Sequence, residues 1–135
     1  CKNNGTSEIR IGMSEWDDAR AGIADRLVEL AQAGCSVRVV HGPMADSVLQ
    51  RLSGQSAIEL RELDSDKLPG RIHSKYLIAE NMTGKHSSQN LVLTGSHNYN
   101  TTSLRRNDEA IVETSRQDVY LQYRENFEEM WNAAR

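Results

Sequence analysis

The sequence predicts an α/β fold in which a mixed, largely parallel sheet is flanked by helices on both faces. Short apolar runs rich in β-branched residues alternate with longer stretches of helical periodicity. The first strand, the first helix and the second strand are joined by short links, which is typical of a βαβ unit with a right-handed crossover. The 135 residues fit a single domain over 1–135 that is long enough to bury a hydrophobic core.

The predicted elements follow one another with short connections. Alternating apolar residues predict a first strand over 8–13. Ser14 is the expected N-cap of a helix that Gly34 ends. Further strands are predicted over 37–40, 57–63, 71–80, 91–95 and 109–113, and further helices over 43–54 and from 115 onwards. The last helix carries an apolar stripe that predicts a core-facing surface: Tyr120, Tyr123, Phe127, Met130, Trp131 and Ala134.

Two runs in the middle of the chain carry polar residues that suggest chemistry. In the predicted strand over 71–80, His73 and Lys75 are two positions apart and share a face. The next predicted strand is followed at once by Ser96 and Asn98, and ligands of open α/β sheets bind just beyond strand ends. An imidazole, an ammonium, a hydroxyl and a carboxamide that converge on one point suit a phosphate group. The alternative is a half-exposed strand edge without a chemical role.

The combined pattern resembles the motif of the phospholipase D superfamily. His73 and Lys75 match its His-x-Lys, and an acidic residue, Glu80, follows after four residues. Gly95-Ser96-His97-Asn98 matches its Gly-Ser-x-Asn. The later Asn107-Asp108-Glu109 resembles a third element, in which a Glu orients the motif His. The resemblance covers nearly the whole chain and implies a phospholipase D-like lobe.

The resemblance implies a phosphodiesterase that needs no metal and no cofactor. One His attacks phosphorus and forms a phosphohistidine, and a His from a second motif protonates the leaving oxygen. His73 would be one of the two, as nucleophile or as acid. Lys75, Ser96 and Asn98 would hold the phosphoryl oxygens, and Glu109 would fix the tautomer of the imidazole. Because the chain has one His-x-Lys, the second motif is expected from a homodimer partner or from another lobe of a longer enzyme.

The chain departs from the family pattern in two places. Glu80 stands where the family usually has Asp, so its supporting role must accommodate one extra methylene. The stretch over 81–90 lengthens the connection to the next strand and is interpreted as a polar hairpin loop, where insertions are tolerated. The four histidines lack the spacing of a zinc site.

The net charge bears on the choice of substrate. The chain has 19 acidic and 16 basic residues, a net charge of −3, so it has little positive charge to spare for a long nucleic-acid groove. This favours a phospholipid-type diester, with water or an alcohol as acceptor. The alternatives are a metal-independent endonuclease and a non-catalytic lobe. Arg71, Lys75, Arg105 and Arg106 could form a local basic mouth, and the alternative for the two adjacent arginines is a solvated turn.

The cysteines and glycosylation sequons bear on the compartment and favour a secreted or extracellular protein. Cys1 and Cys35 each precede a predicted strand, so a disulfide is geometrically possible if those strands are neighbours; two unrelated thiols are the alternative. Sequons occur at Asn4, Asn81 and Asn100 and matter only in a glycosylating host. Because residue 1 is Cys, we expect a mature product or part of a longer protein.

Overall fold

The computed structural model describes residues 1–2, 6–64, 71–83, 90–100 and 109–135. These residues form six strands and three α-helices, with a 3-10 turn (Asp18–Arg20) before the first helix. In chain order the elements are β1 (Glu8–Met13), α1 (Ala21–Gln32), β2 (Ser36–His41), α2 (Asp46–Ser53), β3 (Ile58–Glu62), β4 (Lys75–Glu80), β5 (Leu91–Gly95), β6 (Ile111–Thr114) and α3 (Gln117–Ala133).

The strands in this part of the chain form one mixed sheet in the order β3-β2-β1-β4-β5-β6. The pairs β1–β2 and β2–β3 are parallel. The pairs β1–β4, β4–β5 and β5–β6 are antiparallel. The α/β class is confirmed, but the prediction of a largely parallel sheet is wrong. Parallel neighbours need a crossover, and α1 and α2 supply it only for the first three strands.

Helices cover both faces of the sheet, as predicted. On the face of α1 and α2, Ile11 and Val39 belong to one buried cluster. On the face of α3, Val40 and Ile78 belong to a second cluster. The stripe predicted for the last helix faces this second cluster, and four of its members are buried: Tyr120, Phe127, Trp131 and Ala134.

The residues after β1 do not start a helix, which corrects the predicted N-cap. Ser14 donates from its backbone N–H to the carbonyl oxygen of Ser74 (2.9 Å) and from its hydroxyl to Oδ1 of Asn98. Asp17 acts as the cap instead, because its Oδ1 accepts from the backbone N–H of Ala19 (2.9 Å) at the start of the 3-10 turn. The first α-helix begins only after this turn.

Other boundaries differ from the predictions by a few residues. β4 begins at Lys75, so His73 lies just before the strand and not within it. α2 begins at Asp46 and not at Pro43, whose carbonyl oxygen accepts from the backbone N–H of Trp16 (3.1 Å). α3 begins at 117 and not at 115, and β6 covers 111–114 and not 109–113. Residues 84–89 of the predicted hairpin loop lie outside the described residues.

Cys1 and Cys35 form a disulfide, with their Cα atoms 5.2 Å apart. The bond is possible because β1 and β2 are parallel neighbours and each cysteine precedes one of them. It ties the start of the chain to the end of α1. None of the helices in the described ranges is both long enough and apolar enough to span a bilayer.

Candidate active site at the end of strands β4 and β5

The start of β4 and the end of β5 lie side by side at one end of the sheet. The two strands are antiparallel, with Tyr76 opposite Thr94. The His-x-Lys residues before and at the start of β4 are therefore brought next to the Gly-Ser-x-Asn residues at the end of β5. Asn98 lines the same cleft as His73. The structure thus brings together most of the residues that the sequence singled out.

His73 and Lys75 are in direct contact. Nζ of Lys75 lies 3.1 Å from Nδ1 of His73 and donates to the carbonyl oxygen of His73 (2.9 Å). A protonated ammonium is donor only, so this contact fits the tautomer in which Nδ1 is the acceptor and Nε2 carries the proton. The imidazole is exposed and the ammonium stem is half-buried. The pair is accessible to a ligand from solvent.

Lys75 is under two opposed electrostatic influences. Burial lowers the pKa of its ammonium below the usual value, while the negative charges of Glu109 and Glu15 act to raise it. Burial has the larger effect, so the net direction is down. An ammonium that is short of water and close to an open cleft is suited to bind an anion such as a phosphate.

Ser96 and Glu109 are held together across the gap between β5 and β6. Oγ of Ser96 donates to Oε2 of Glu109 and accepts from the backbone N–H of Ala110 (3.1 Å). The backbone N–H of Ser96 donates to the carbonyl oxygen of Ala110 (3.0 Å). Glu109 is thus held beside Ser96, and its negative charge acts on the Lys75 ammonium. Its hydrogen bond to the ring of His73 stays a prediction, because the ring nitrogen Nδ1 faces Lys75.

Asn98 has a partner that sequence reasoning missed. Its Oδ1 accepts a hydrogen bond from the hydroxyl of Ser14, the residue immediately after β1. β1 and β4 are paired so that Met13 lies opposite Lys75, which brings the end of β1 to the site. The only sequence signal was a short polar residue at a strand end, and it was interpreted as a helix cap.

Glu80 does not lie at the site. It is at the opposite end of β4 from Lys75, and the five residue steps along the strand place the two roughly 16 Å apart. Its carboxylate pairs with Arg10 (3.1 Å) and Arg124 (3.6 Å). Glu80 therefore supports the packing of the core and of α3 through these ion pairs.

An open cleft of about 350 Å³ lies beside His73. We call it the His73 cleft, and its lining residues are Ser14, Glu15, Pro43, Arg71, Ile72, His73 and Asn98.

Of the predicted basic mouth, Arg71 lines this cleft and its guanidinium pairs with Asp64 (2.8 Å). Arg105 and Arg106 lie outside the described residues. Among the described residues there is no group of three or more His, Cys, Asp or Glu that could hold a metal ion.

The family of the chain follows from a comparison of its sequence with family models. The model described as "Cardiolipin synthase, PLD-like domain" matches residues 3–131. The chain belongs to the phospholipase D-like family. The family assigns it to the phosphodiesterases, and a phospholipase D-like domain with one motif implies a second lobe or a dimer partner. A search of curated protein sequences found no significant match.

Solved structures share the phospholipase D-like fold. NucT from Helicobacter pylori superposes with a TM-score of 0.74 at 15% identity, over 94% of this chain and 80% of that chain. Nuc from Salmonella typhimurium, a phospholipase D family member, gives 0.66 at 21% identity, over 98% and 83%. TrmBL2, an archaeal chromatin protein whose structure shows a mode of DNA binding, gives 0.57 at 18% identity, over 95% and 45%.

Proposed function

We propose that this phospholipase D-like domain cleaves nucleic-acid phosphodiesters through a phosphohistidine intermediate and without a metal ion. The observation that carries the proposal is the exposed His73 imidazole in contact with the Lys75 ammonium (3.1 Å) at the mouth of an open cleft. Ser96, Asn98 and Glu109 complete the set of groups that a phosphate transfer needs.

The ring nitrogen Nε2 of His73 attacks phosphorus only when Nδ1 carries the proton. In the free protein, Nδ1 faces the Lys75 ammonium. A bound phosphate competes for that ammonium, because a charge-assisted hydrogen bond to an anion is stronger than one to a neutral ring. Glu109, held nearby by Ser96, is then the acceptor for a proton on Nδ1. Substrate binding would thus prepare the nucleophile.

The reaction proceeds in two displacements. In the first, a bond forms between the imidazole nitrogen and phosphorus, and the bond to the leaving oxygen breaks. A second imidazole, from a partner protomer or another lobe, gives its proton to that oxygen. In the second, water attacks phosphorus and the same second imidazole takes up the proton, which releases His73.

Two considerations favour nucleic acid over lipid. One structural neighbour of the chain is described as binding DNA, and two others bear the names Nuc and NucT. The His73 cleft is also open and lined by polar groups, which suits a splayed single strand. The net charge of −3 predicts that binding is weak. Because binding still depends on contacts to phosphate, it should weaken further as salt is raised.

Phospholipid cleavage is the second candidate. It is favoured by the exposed apolar side chains of Ile111 (54%) and Val112 (57%) on β6, close to Glu109. Exposed apolar residues beside a site are a feature of proteins that bind membranes or partners. The description of the matching family model also names a cardiolipin synthase.

The test uses the assembled protein, which is this domain together with its dimer partner or second motif-bearing lobe. It is supplied with single-stranded DNA and, separately, with phospholipid vesicles, in excess EDTA. We expect DNA cleavage that persists in EDTA and slows as salt is raised. His73→Asn should lower the rate by about a thousand-fold or more, as loss of a covalent or acid–base group commonly does. The fold should survive, because the imidazole is exposed and lies outside the strand.

Glu125→Gln, on the exposed surface of α3, is the matched control and should cleave like the parent chain. Headgroup release without DNA cleavage would replace the nuclease proposal with the lipid one. Loss of activity on chelation, restored by Mg²⁺, would contradict the phosphohistidine route. Cleavage of neither substrate would contradict both candidates.

A further inference from the structure

The His73 cleft contains a carboxylate that the phosphohistidine mechanism does not use. Glu15 lines the cleft together with His73 and Arg71. A negative charge beside a phosphate-binding site opposes the binding of the phosphate itself. Its presence therefore needs an explanation in terms of another part of the substrate.

Glu15 is held in a fixed position. Its Oε2 accepts a hydrogen bond from Nδ2 of the buried Asn100 (2.6 Å). Its backbone carbonyl oxygen accepts from the backbone N–H of Tyr99 (3.1 Å). Within the described ranges, no Lys, Arg or His nitrogen lies within 4.0 Å of the carboxylate. Glu15 is exposed and lines the cleft, so a ligand there can reach its carboxylate.

The other cleft residues suit a flat, partly apolar group. Pro43 and Ile72 supply apolar surface beside the polar groups. The charge of Arg71 is offset by Asp64 at 2.8 Å, so it adds little net attraction for an anion. The cleft volume of about 350 Å³ is sufficient for one nucleoside and falls in the usual range for small-ligand sites.

We propose that the His73 cleft binds the nucleobase next to the scissile phosphate, and that Glu15 makes it prefer a base with an exocyclic amino group. A carboxylate accepts a hydrogen bond from N4 of cytosine, and it repels the O4 acceptor that thymine has at the same position. Thymine also carries a C5 methyl group that cytosine lacks, so the effect of Glu15 is measured by the change in preference that its substitution causes. The inference rests on the proposed nuclease function and deepens it.

The experiment compares kcat/KM for short single strands of dC and of dT, with the assembled protein and with Glu15→Gln. The parent chain should prefer dC by about fivefold or more, which is the discrimination expected of one good base contact. In the variant, Asn100 should hold the amide oxygen and leave the NH₂ group facing the cleft. A donor there suits O4 of thymine, so the preference should vanish or invert.

The ratio of the two substrates isolates Glu15 from other effects. Loss of its charge also changes the surroundings of Lys75, but both substrates present the same phosphate, so that effect cancels. Glu125→Gln is the control and should keep the parent ratio. Cleavage of both strands with a ratio that Glu15→Gln does not change would overturn the inference and leave the nuclease proposal standing. If neither strand is cleaved, or if only an ethanolamine phospholipid is cleaved, both the base preference and the nuclease proposal are overturned.

Discussion

Lys75 shows how the surroundings of one residue prepare the site for an anion. Its ammonium contacts Nδ1 of His73, and burial lowers its pKa more than Glu109 and Glu15 raise it. A lysine whose charge is poorly solvated gains more from a phosphate than a lysine in open water does. The same two carboxylates keep the local potential from becoming strongly positive. The site is thus suited to bind the one scissile phosphate.

Ser14 is expected to act as a positioning residue through Asn98. Ser14→Ala removes the hydroxyl that holds Oδ1 of Asn98, so the orientation of the carboxamide toward the phosphate is less well fixed. We expect kcat/KM for diester cleavage to fall about tenfold, with a loss of about 1 kcal/mol in the free energy of unfolding. Ser14→Thr keeps the hydroxyl and should restore most of the activity.

A double-mutant cycle separates this role from a general loss of structure. If Ser14 acts only through Asn98, then Ser14→Ala combined with Asn98→Ala should be no slower than Asn98→Ala alone. Rates that multiply independently would contradict the positioning role. Urea unfolding of each variant checks that all of them are folded under the assay conditions.

At the residue scale, a local motif in the sequence predicts which of its own residues belong to the site. It does not predict distant residues that the pairing register of the strands brings to the same site. His73, Lys75, Ser96 and Asn98 stand at motif spacing, and the antiparallel pairing of β4 and β5 unites them. Ser14, like Glu15, reaches the site only through the pairing of β1 with β4. That pairing joins residues about sixty positions apart, and hydrophobic periodicity carries no signal for it.

At the scale of elements, Gly95 couples the end of β5 to β6. A Cβ at this position would overlap the carbonyl oxygen of Ala110 and lie 3.2 Å from Cα of Ile111. Both are backbone atoms, so neither can move aside like a flexible side chain. The close approach lets Ser96 exchange hydrogen bonds with Ala110 (3.0 and 3.1 Å), which fixes Glu109 beside it. The glycine of the motif is therefore required by strand packing.

Gly95→Ala should displace β6 and weaken the site together with the fold. We expect the free energy of unfolding to fall by about 1–3 kcal/mol, as for other overpacked positions, and diester cleavage to fall at least about tenfold because Glu109 moves. Gly22→Ala, in α1, is the matched control, because a Cβ there meets no atom within 4 Å. That variant should be as stable as the parent or slightly more stable. Parent-like activity in Gly95→Ala would contradict the coupling.

Elements that local periodicity specifies were predicted, whereas features that depend on tertiary contacts were missed. The strand β1 and the core-facing stripe of α3 were predicted because a regular alternation or spacing of apolar residues specifies them. The start of α1 was not, because Ser14 has a tertiary partner that replaces its capping role. Strand direction in the second half of the sheet was also missed, since it depends on which strand becomes the neighbour of β4.

At the scale of the whole molecule, a cluster of charges under α3 joins the helix to the sheet. Arg10 of β1, only 6% exposed, pairs with Glu8 (2.8 Å) and Glu80 (3.1 Å) and donates to the hydroxyl of Tyr120 (3.1 Å). Its Nε lies 3.2 Å from Oε1 of Glu128, although without hydrogen-bond geometry. Arg38 of β2 also pairs with Glu8 and Glu128 (2.7 and 2.6 Å), and its guanidinium lies over the ring of Trp131 at 5.2 Å. Glu80 thus supports the domain from the end of β4 that is remote from the site.

This cluster predicts a loss of stability in acid. Burial acts to raise the pKa of Glu80, but hydrogen bonds from Tyr120 and Arg10 outweigh it and the net direction is down. The hydrogen bond from Arg38 lowers the pKa of Glu128 despite its partial burial. A carboxyl with a lowered pKa in the folded state contributes stability that is complete above its unfolded-state value. That contribution is lost as the pH falls through the folded-state pKa.

The free energy of unfolding should therefore decrease as the pH drops below about 4.3, the ordinary pKa of Glu, because protonation of the carboxylates leaves the charge of the buried Arg10 without compensation.

Glu80→Gln removes one titrating charge. At neutral pH it should cost about 1–2 kcal/mol, less than for a fully buried pair because Glu8 and Glu128 still compensate Arg10. Between neutral pH and acid, the free energy of unfolding of Glu80→Gln should then decrease less than that of the parent chain. Urea unfolding followed by circular dichroism across this pH range measures both quantities. Glu125→Gln, on the exposed surface of α3, should follow the parent curve. An unchanged acid slope in Glu80→Gln would show that the cluster does not control acid stability.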